Sequence, residues 1–223
     1  MTKTNTADIA YQYIYDAIVT GRYAPGAPIS ESMIAKELNM SRSPIREVLN
    51  RMLVEGFVER YPGRGTFVSS MSKQDIEEIL DLREMFELNA IKRSYRYISD
   101  DELNIMEEGF LNLNTDTSSP EVQLEYYRHD RNLHNTVVGY CGNNRLINYY
   151  KLNEAQMKRI QRISSKDPLH FSTSVMQHLQ IVRVLRERDP DRAAFYLKEH
   201  LDSVKKRTLE MYAFYENAPR FVE

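Results

Sequence analysis

Cysteine is almost missing from this chain: Cys141 is the only one in 223 residues. An intrachain disulfide is therefore excluded, and a reducing cytoplasm is the default compartment. Glycine and proline are sparse at eight each, and strand-like alternation is scarce, so a mainly α protein is expected and collagen-like classes are ruled out. No stretch approaches the ~18 consecutive apolar residues that a membrane span needs, so no membrane partner is expected. Met1 to Asp8 is polar where a secretion signal would carry its apolar centre. An excess of one charge is lacking as well, with 30 Lys and Arg against 32 Asp and Glu. Residues 1–70 hold 8 basic and 7 acidic side chains, too even a balance to announce a nucleic-acid partner by itself. What is present, 42% hydrophobic and 28% charged residues, is ordinary for a globular protein and sufficient for two small cores.

The first seventy residues read as three short helices and a β-hairpin. Ile9, Tyr13, Ile14, Ala17 and Ile18 recur at helical spacing before Gly21 and the Pro25-Gly26 pair. Ser30 suits the N-cap of a second helix that would carry Met33, Ile34 and Leu38 inward. In the third, Ile45, Val48, Leu49, Met52 and Leu53 form one apolar stripe, with Ser41 or Ser43 at its start and Gly56 at its end. Residues 57–61 and 66–68 flank the turn Pro62-Gly63-Arg64-Gly65 as a hairpin. Ser69 to Ser72 is a polar joint, and a domain boundary is expected there, between 1–70 and 73–216. Helices are expected over 73–97, 101–113, 120–141, 144–163, 171–188 and 190–215, which together make an all-α bundle. Ser72 and Ser99 have the capping-box spacing, and residues 217–223 read as a tail.

Two constellations carry chemistry. On the third helix, Arg42, Ser43, Arg46 and Asn50 lie opposite the apolar stripe, with both arginines at the N-terminal end. That end is the one a recognition helix pushes into the major groove, where arginine fits the O6/N7 edge of guanine. Ser41, Ser43 and the open N–H groups of the helix start suit phosphate, and Arg64, Gly65 and Thr66 form a hairpin tip that can approach a groove. A solvated helix face and a plain surface turn would look the same by spacing alone.

In the second half, Asp130 and His134 share a helix face, His178 lies on the stripe of Val175, Leu179, Val182 and Leu185, and His200 on that of Ala193, Leu197 and Leu201. A single histidine on such a stripe is usually a satisfied core residue. Three with a carboxylate are too costly to bury without a shared partner, and a divalent metal is the natural one: zinc first, nickel or manganese next. His129 and His170 fall outside this set. Arg83 sits on the inward stripe of the first bundle helix, paired with Glu87 four residues on or holding a small carboxylate effector through its bidentate fork.

Ser41 to Leu49, Gly56-Phe57-Val58 and Gly63 to Val68 together resemble the winged helix-turn-helix of the GntR family of bacterial transcription regulators. The resemblance implies that Arg42 and Arg46 read bases or grip backbone, that Ser43 contacts phosphate, and that Arg64-Gly65-Thr66 is a wing. Some members carry a phosphate-binding arginine near the position of Ser32; this chain does not. Residues 73–215 resemble the FCD ligand-binding domain of the FadR-like branch, and six helices point to its shorter, VanR-like type. In its metal-binding members an Asp-x-x-x-His pair joins two later histidines, which match Asp130, His134, His178 and His200. The implied protein is a homodimeric repressor on a palindromic operator in double-stranded DNA, released by a small organic acid. A metal-dependent bundle hydrolase and a purely structural metal are the alternatives. Glu-x-x-His pairs of a di-iron bundle and the Gly-x-x-x-x-Gly-Lys of a phosphate loop are both missing.

Overall fold

The computed structural model describes residues 6–113, 119–164 and 168–217. It divides into two compact units, Met1–Ser72 and Lys73–Glu223. In the first, α1 (Thr6–Val19), α2 (Glu31–Glu37) and α3 (Arg42–Val54) pack beside β1 (Pro28–Ile29), β2 (Val58–Tyr61) and β3 (Gly65–Val68). The strands form an antiparallel sheet in the order β1-β3-β2, with Ile29 opposite Thr66 and Tyr61 opposite Gly65. The hairpin is thus widened by a two-residue strand that is too short to leave an alternating pattern in the sequence. Its turn closes through the Arg64 N–H donating to the Tyr61 carbonyl at 3.0 Å, and Gly63 and Gly65 adopt φ of 71° and 104°, which a side chain resists.

Ile14, Ile45, Leu49, Met52 and Phe57 fill the core of this unit. The ends of its stripes depart from expectation. Met33 is 63% exposed and Ile9 44%, because the flanking Ile34 and Ala10 turn inward in their place. Ser30 does cap α2, accepting from the Met33 N–H at 3.3 Å. Asn39 then takes a left-handed conformation, φ 50°, to reverse the chain into α3.

The second unit is built, among the described residues, from α4 (Lys73–Ser94), α5 (Asp100–Leu111), α6 (Pro120–Gly139), α7 (Asn144–Ser164), α8 (Pro168–Arg186) and α9 (Pro190–Asn217). Helix α4 lies against α6, α7 and α9, and α8 packs between α5 and α9. Leu103, Phe110, Leu133, Val182, Leu185 and Leu197 are buried in the shared core. The capping box at α5 is complete: Ser99 Oγ accepts from the Glu102 N–H, and Glu102 Oε2 accepts from the Ser99 N–H at 2.9 Å. Helix α4 stops three residues earlier than its periodicity indicated, and α8 starts three residues earlier, with Pro168 at its first position. No helix among the described residues is long and apolar enough to cross a membrane. Residues 218–223 of the expected tail lie outside the described residues, as does the side chain of His170.

Candidate nucleic-acid interface and metal centre

The outer face of α3 begins at Ser41, whose backbone is the N-cap while its hydroxyl makes no capping hydrogen bond. Ser41, Arg42, Ser43 and Arg46 are all exposed. Arg46 reaches back to Glu31 at the start of α2, Nη2 standing 3.0 Å from Oε2. Arg46 is exposed and Glu31 partly so, so solvent screens the pair and it yields readily to a stronger anion. Asn50 accepts from Nη2 of Arg60 at 2.9 Å, tying α3 to β2. Nε of the same guanidinium stands 3.5 Å from the Thr66 hydroxyl. Thr66 is buried, whereas Arg64 and Gly65 at the tip are exposed. Arg60 was not visible in the sequence as part of this surface, because the outward side of a four-residue strand has no periodic signal.

In the helical unit, α6 brings Asp130 and His134 to one face, α8 supplies His178 and α9 supplies His200, all buried. One ligand atom from each lies within 4.8 Å of every other. His178 Nε2 is the hub: it stands 3.3 Å from His134 Nε2, 3.1 Å from His200 Nε2 and 3.3 Å from Asp130 Oδ1. Two ligands bound to one ion at ~2.1 Å stand roughly 3.0–3.4 Å apart, so these separations suit a shared ion.

The outer partners fix which nitrogens carry protons. His134 Nδ1 donates to Glu87 Oε2 at 2.5 Å and His200 Nδ1 donates to Gln177 Oε1 at 3.1 Å. Each ring then presents its Nε2 lone pair to the centre. Lone pairs from two rings and an aspartate oxygen converge on His178 Nε2, and a single proton there could satisfy only one of them well. A cation satisfies all together. The His178 ring is held by stacking on Phe110, centroids 4.8 Å apart. Its Nδ1 has no hydrogen-bond partner among the described residues. Asp130 also accepts from Gln161 Nε2 at 2.7 Å.

Electrostatics agree with a charged Asp130 carboxylate. Burial alone would raise the Asp130 pKa, but the His178 hydrogen bond, the facing imidazoles and Arg83 hold it well below the ordinary range. Burial pushes the His178 pKa down, against the pull of Asp130. Arg83 is buried beside this centre, and its Nε donates to Glu87 Oε1 at 2.8 Å, so the internal pair is made. Its two terminal amino groups enter no hydrogen bond among the described residues. Arg83 lines a narrow cavity with Asp130, His134, Tyr150, Lys158 and Gln161, with room for little more than a water molecule or an ion. Tyr150, Gln161 and Gln177 are the members that carry no signal in the sequence; they come from two helices, α7 and α8, and no spacing rule connects them to the four.

Two family descriptions match the chain, "Bacterial regulatory proteins, gntR family" over residues 6–68 and "FCD domain" over residues 78–203. The chain belongs to the GntR family, with an FCD domain. It is a DNA-binding transcription regulator. This regulator is 27% identical over 210 residues to the Nta operon transcriptional regulator of Aminobacter aminovorans, covering 91% of this chain and 98% of that one. To the HTH-type transcriptional repressor RspR of Escherichia coli strain K12 it is 24% identical, covering 88% of this chain and 86% of that one. Among solved structures, E. coli McbR/YncC superposes with a TM-score of 0.75 at 16% identity, over 96% of this chain and 100% of that one, which shows a shared fold. Family and relatives describe a regulator rather than an enzyme.

Proposed function

We propose that this GntR regulator is a cytoplasmic, homodimeric repressor whose hold on a palindromic operator is released by a small organic acid. Residues 1–70 bind the DNA. Arg42 and Arg46 enter the major groove, Ser41 and Ser43 hold phosphate, and Arg64, Gly65 and the backbone of Thr66 approach as a wing. Residues 73–216 dimerise and hold a divalent metal, zinc before nickel or manganese, through Asp130, His134, His178 and His200. When bound, the metal supplies a Lewis-acidic position that can accept an oxygen of the acid.

The observation that carries the ligand half is the pairing of this buried donor set with a neighbouring arginine whose fork is only partly used. Arg83 would take the carboxylate of the acid by its terminal amino groups. Repression is favoured over activation because the E. coli relative RspR is named a transcriptional repressor. A purely structural metal is the second reading, and the tightness of the cavity favours it.

The test begins with operators selected from a random duplex pool. Metal-loaded and chelated protein is then titrated onto them with a panel of small carboxylic and sugar acids. One acid should weaken operator binding by the metal-loaded protein only. Arg42→Ala should lose specific binding with metal content intact. Unchanged operator affinity in Arg42→Ala would remove α3 as the reading helix, and no response to any acid would leave the structural-metal reading.

A further inference from the structure

We propose that Glu87 is the positioning residue that sets the tautomer of His134, and thereby decides whether this imidazole can present a lone pair to a metal. This rests on the metal reading of the four-residue centre and goes beyond it, because Glu87 is not one of the four ligands.

The carboxylate of Glu87 is fully buried, and its two oxygens have different tasks. Oε1 accepts from Arg83 Nε at 2.8 Å and from the Tyr150 hydroxyl at 2.9 Å. Oε2 faces His134 Nδ1 at 2.5 Å. An ionised carboxylate is an acceptor only, so Nδ1 must carry the ring proton and Nε2 is left bare. The bare nitrogen is the one aimed at His178 and Asp130. Arg83 and Tyr150 supply the donors that keep Glu87 ionised and pin its rotamer; the same carboxylate therefore links the arginine beside the cavity to a ligand of the centre.

The chemistry makes Glu87→Gln an informative change. Arg83 and Tyr150 are donors, so they hold the amide oxygen of glutamine on their own side. The NH2 group then faces His134 Nδ1 and needs an acceptor there. The ring proton moves to Nε2, and the lone pair no longer points at the centre. Glu87→Asp reaches the same end by another route: it keeps the charge near Arg83 but falls one methylene short of His134.

The experiment uses the full-length protein and zinc as the probe, by competition with a fluorescent chelator, in wild type, His178→Ala, Glu87→Gln and Glu87→Asp. Zinc affinity should fall 10–100-fold in Glu87→Gln, the range seen when an outer-shell partner of a ligating histidine is lost. It should also fall in Glu87→Asp. NMR of isotope-labelled histidine in the metal-free protein should show His134 protonated at Nδ1 in wild type and at Nε2 in Glu87→Gln. A fold defect alone would lower the melting temperature and leave both the zinc affinity of the folded fraction and the tautomer unchanged, which would overturn the proposal. If wild type binds zinc, His178→Ala loses it and both Glu87 variants keep wild-type affinity, the role of Glu87 is refuted and the metal centre stands. If wild type itself binds no zinc, the metal reading fails and this proposal with it.

Discussion

Removing the metal should soften the helical unit by an amount that follows from mass action. A ligand that binds only the folded state at 100 times its Kd stabilises it by ~2.7 kcal/mol, and each further tenfold in free ligand adds about 1.4 kcal/mol. For 150–250 residues a change of 1 kcal/mol moves the midpoint by ~2–4 °C. Free zinc held at 100 times Kd should therefore raise the melting temperature over chelated protein by about 5–11 °C, and a further tenfold should add ~3–6 °C. His178→Ala is the sharpest control, because the His178 ring nitrogen lies within 3.3 Å of an atom from each of the other three ligands. The substitution also opens a cavity and lowers the midpoint in both buffers. That loss cancels when the zinc-minus-chelator difference is read within one variant. Melting followed by circular dichroism at several free-zinc concentrations suffices. A wild-type midpoint indifferent to zinc, or a full zinc shift surviving in His178→Ala, would refute the shared site.

Arg46→Ala should weaken operator binding by about 1–3 kcal/mol if it reads a base, or flatten the salt dependence by about one unit if it holds phosphate, while Glu31→Gln, which releases Arg46, should tighten binding; fluorescence anisotropy at several salt concentrations separates these. Ser99→Ala removes the hydroxyl half of the α5 capping box and should cost about 1 kcal/mol in urea denaturation. The carboxyl of Glu102 is held below the ordinary range by the Ser99 N–H and the Tyr140 hydroxyl. Its folded pKa is thus lower than its unfolded one, so its stabilisation is present at neutral pH and fades as pH falls through the folded value. Glu102→Gln should match wild type only at the acid end of a stability-pH series. Leu133→Ala, a fully buried position on α6, should lose 2–5 kcal/mol in the same denaturation assay, and a loss under 1 kcal/mol would contradict its place in the core.

The ligand set could be proposed from the sequence because each member sits on an apolar helical stripe, where a polar side chain stands out by violating its neighbours. Asp130 and His134 are four apart, and His178 and His200 interrupt runs of valine, leucine and alanine. Arg83 and Glu87 were visible for the same reason. Gln161 and Gln177 were not, because half-buried glutamines at the edge of a stripe break no pattern, and their partners are fixed only when helices meet. The same limit applies at the ends of elements. Met33 and Leu53 have the right spacing but remain exposed, because the adjacent Ile34 and Met52 take the inward positions. The two-residue strand β1 owes its existence to pairing with β3 rather than to any preference of Pro28 and Ile29.

The bridge from Arg60 to Asn50 has a consequence for how a signal can be transmitted. Since the Arg60 guanidinium on β2 bonds Asn50 of α3 and faces Thr66 of β3, a swing of the hairpin would tug on α3. If α3 reads DNA as proposed, this tie would let helix and hairpin act together, like a stamp with a fixed relief. Such a part would lose little entropy on meeting DNA. On the proposed reading of a homodimer released by an effector, the message would then be written in where each stamp is held relative to its twin, with the carved face itself unchanged.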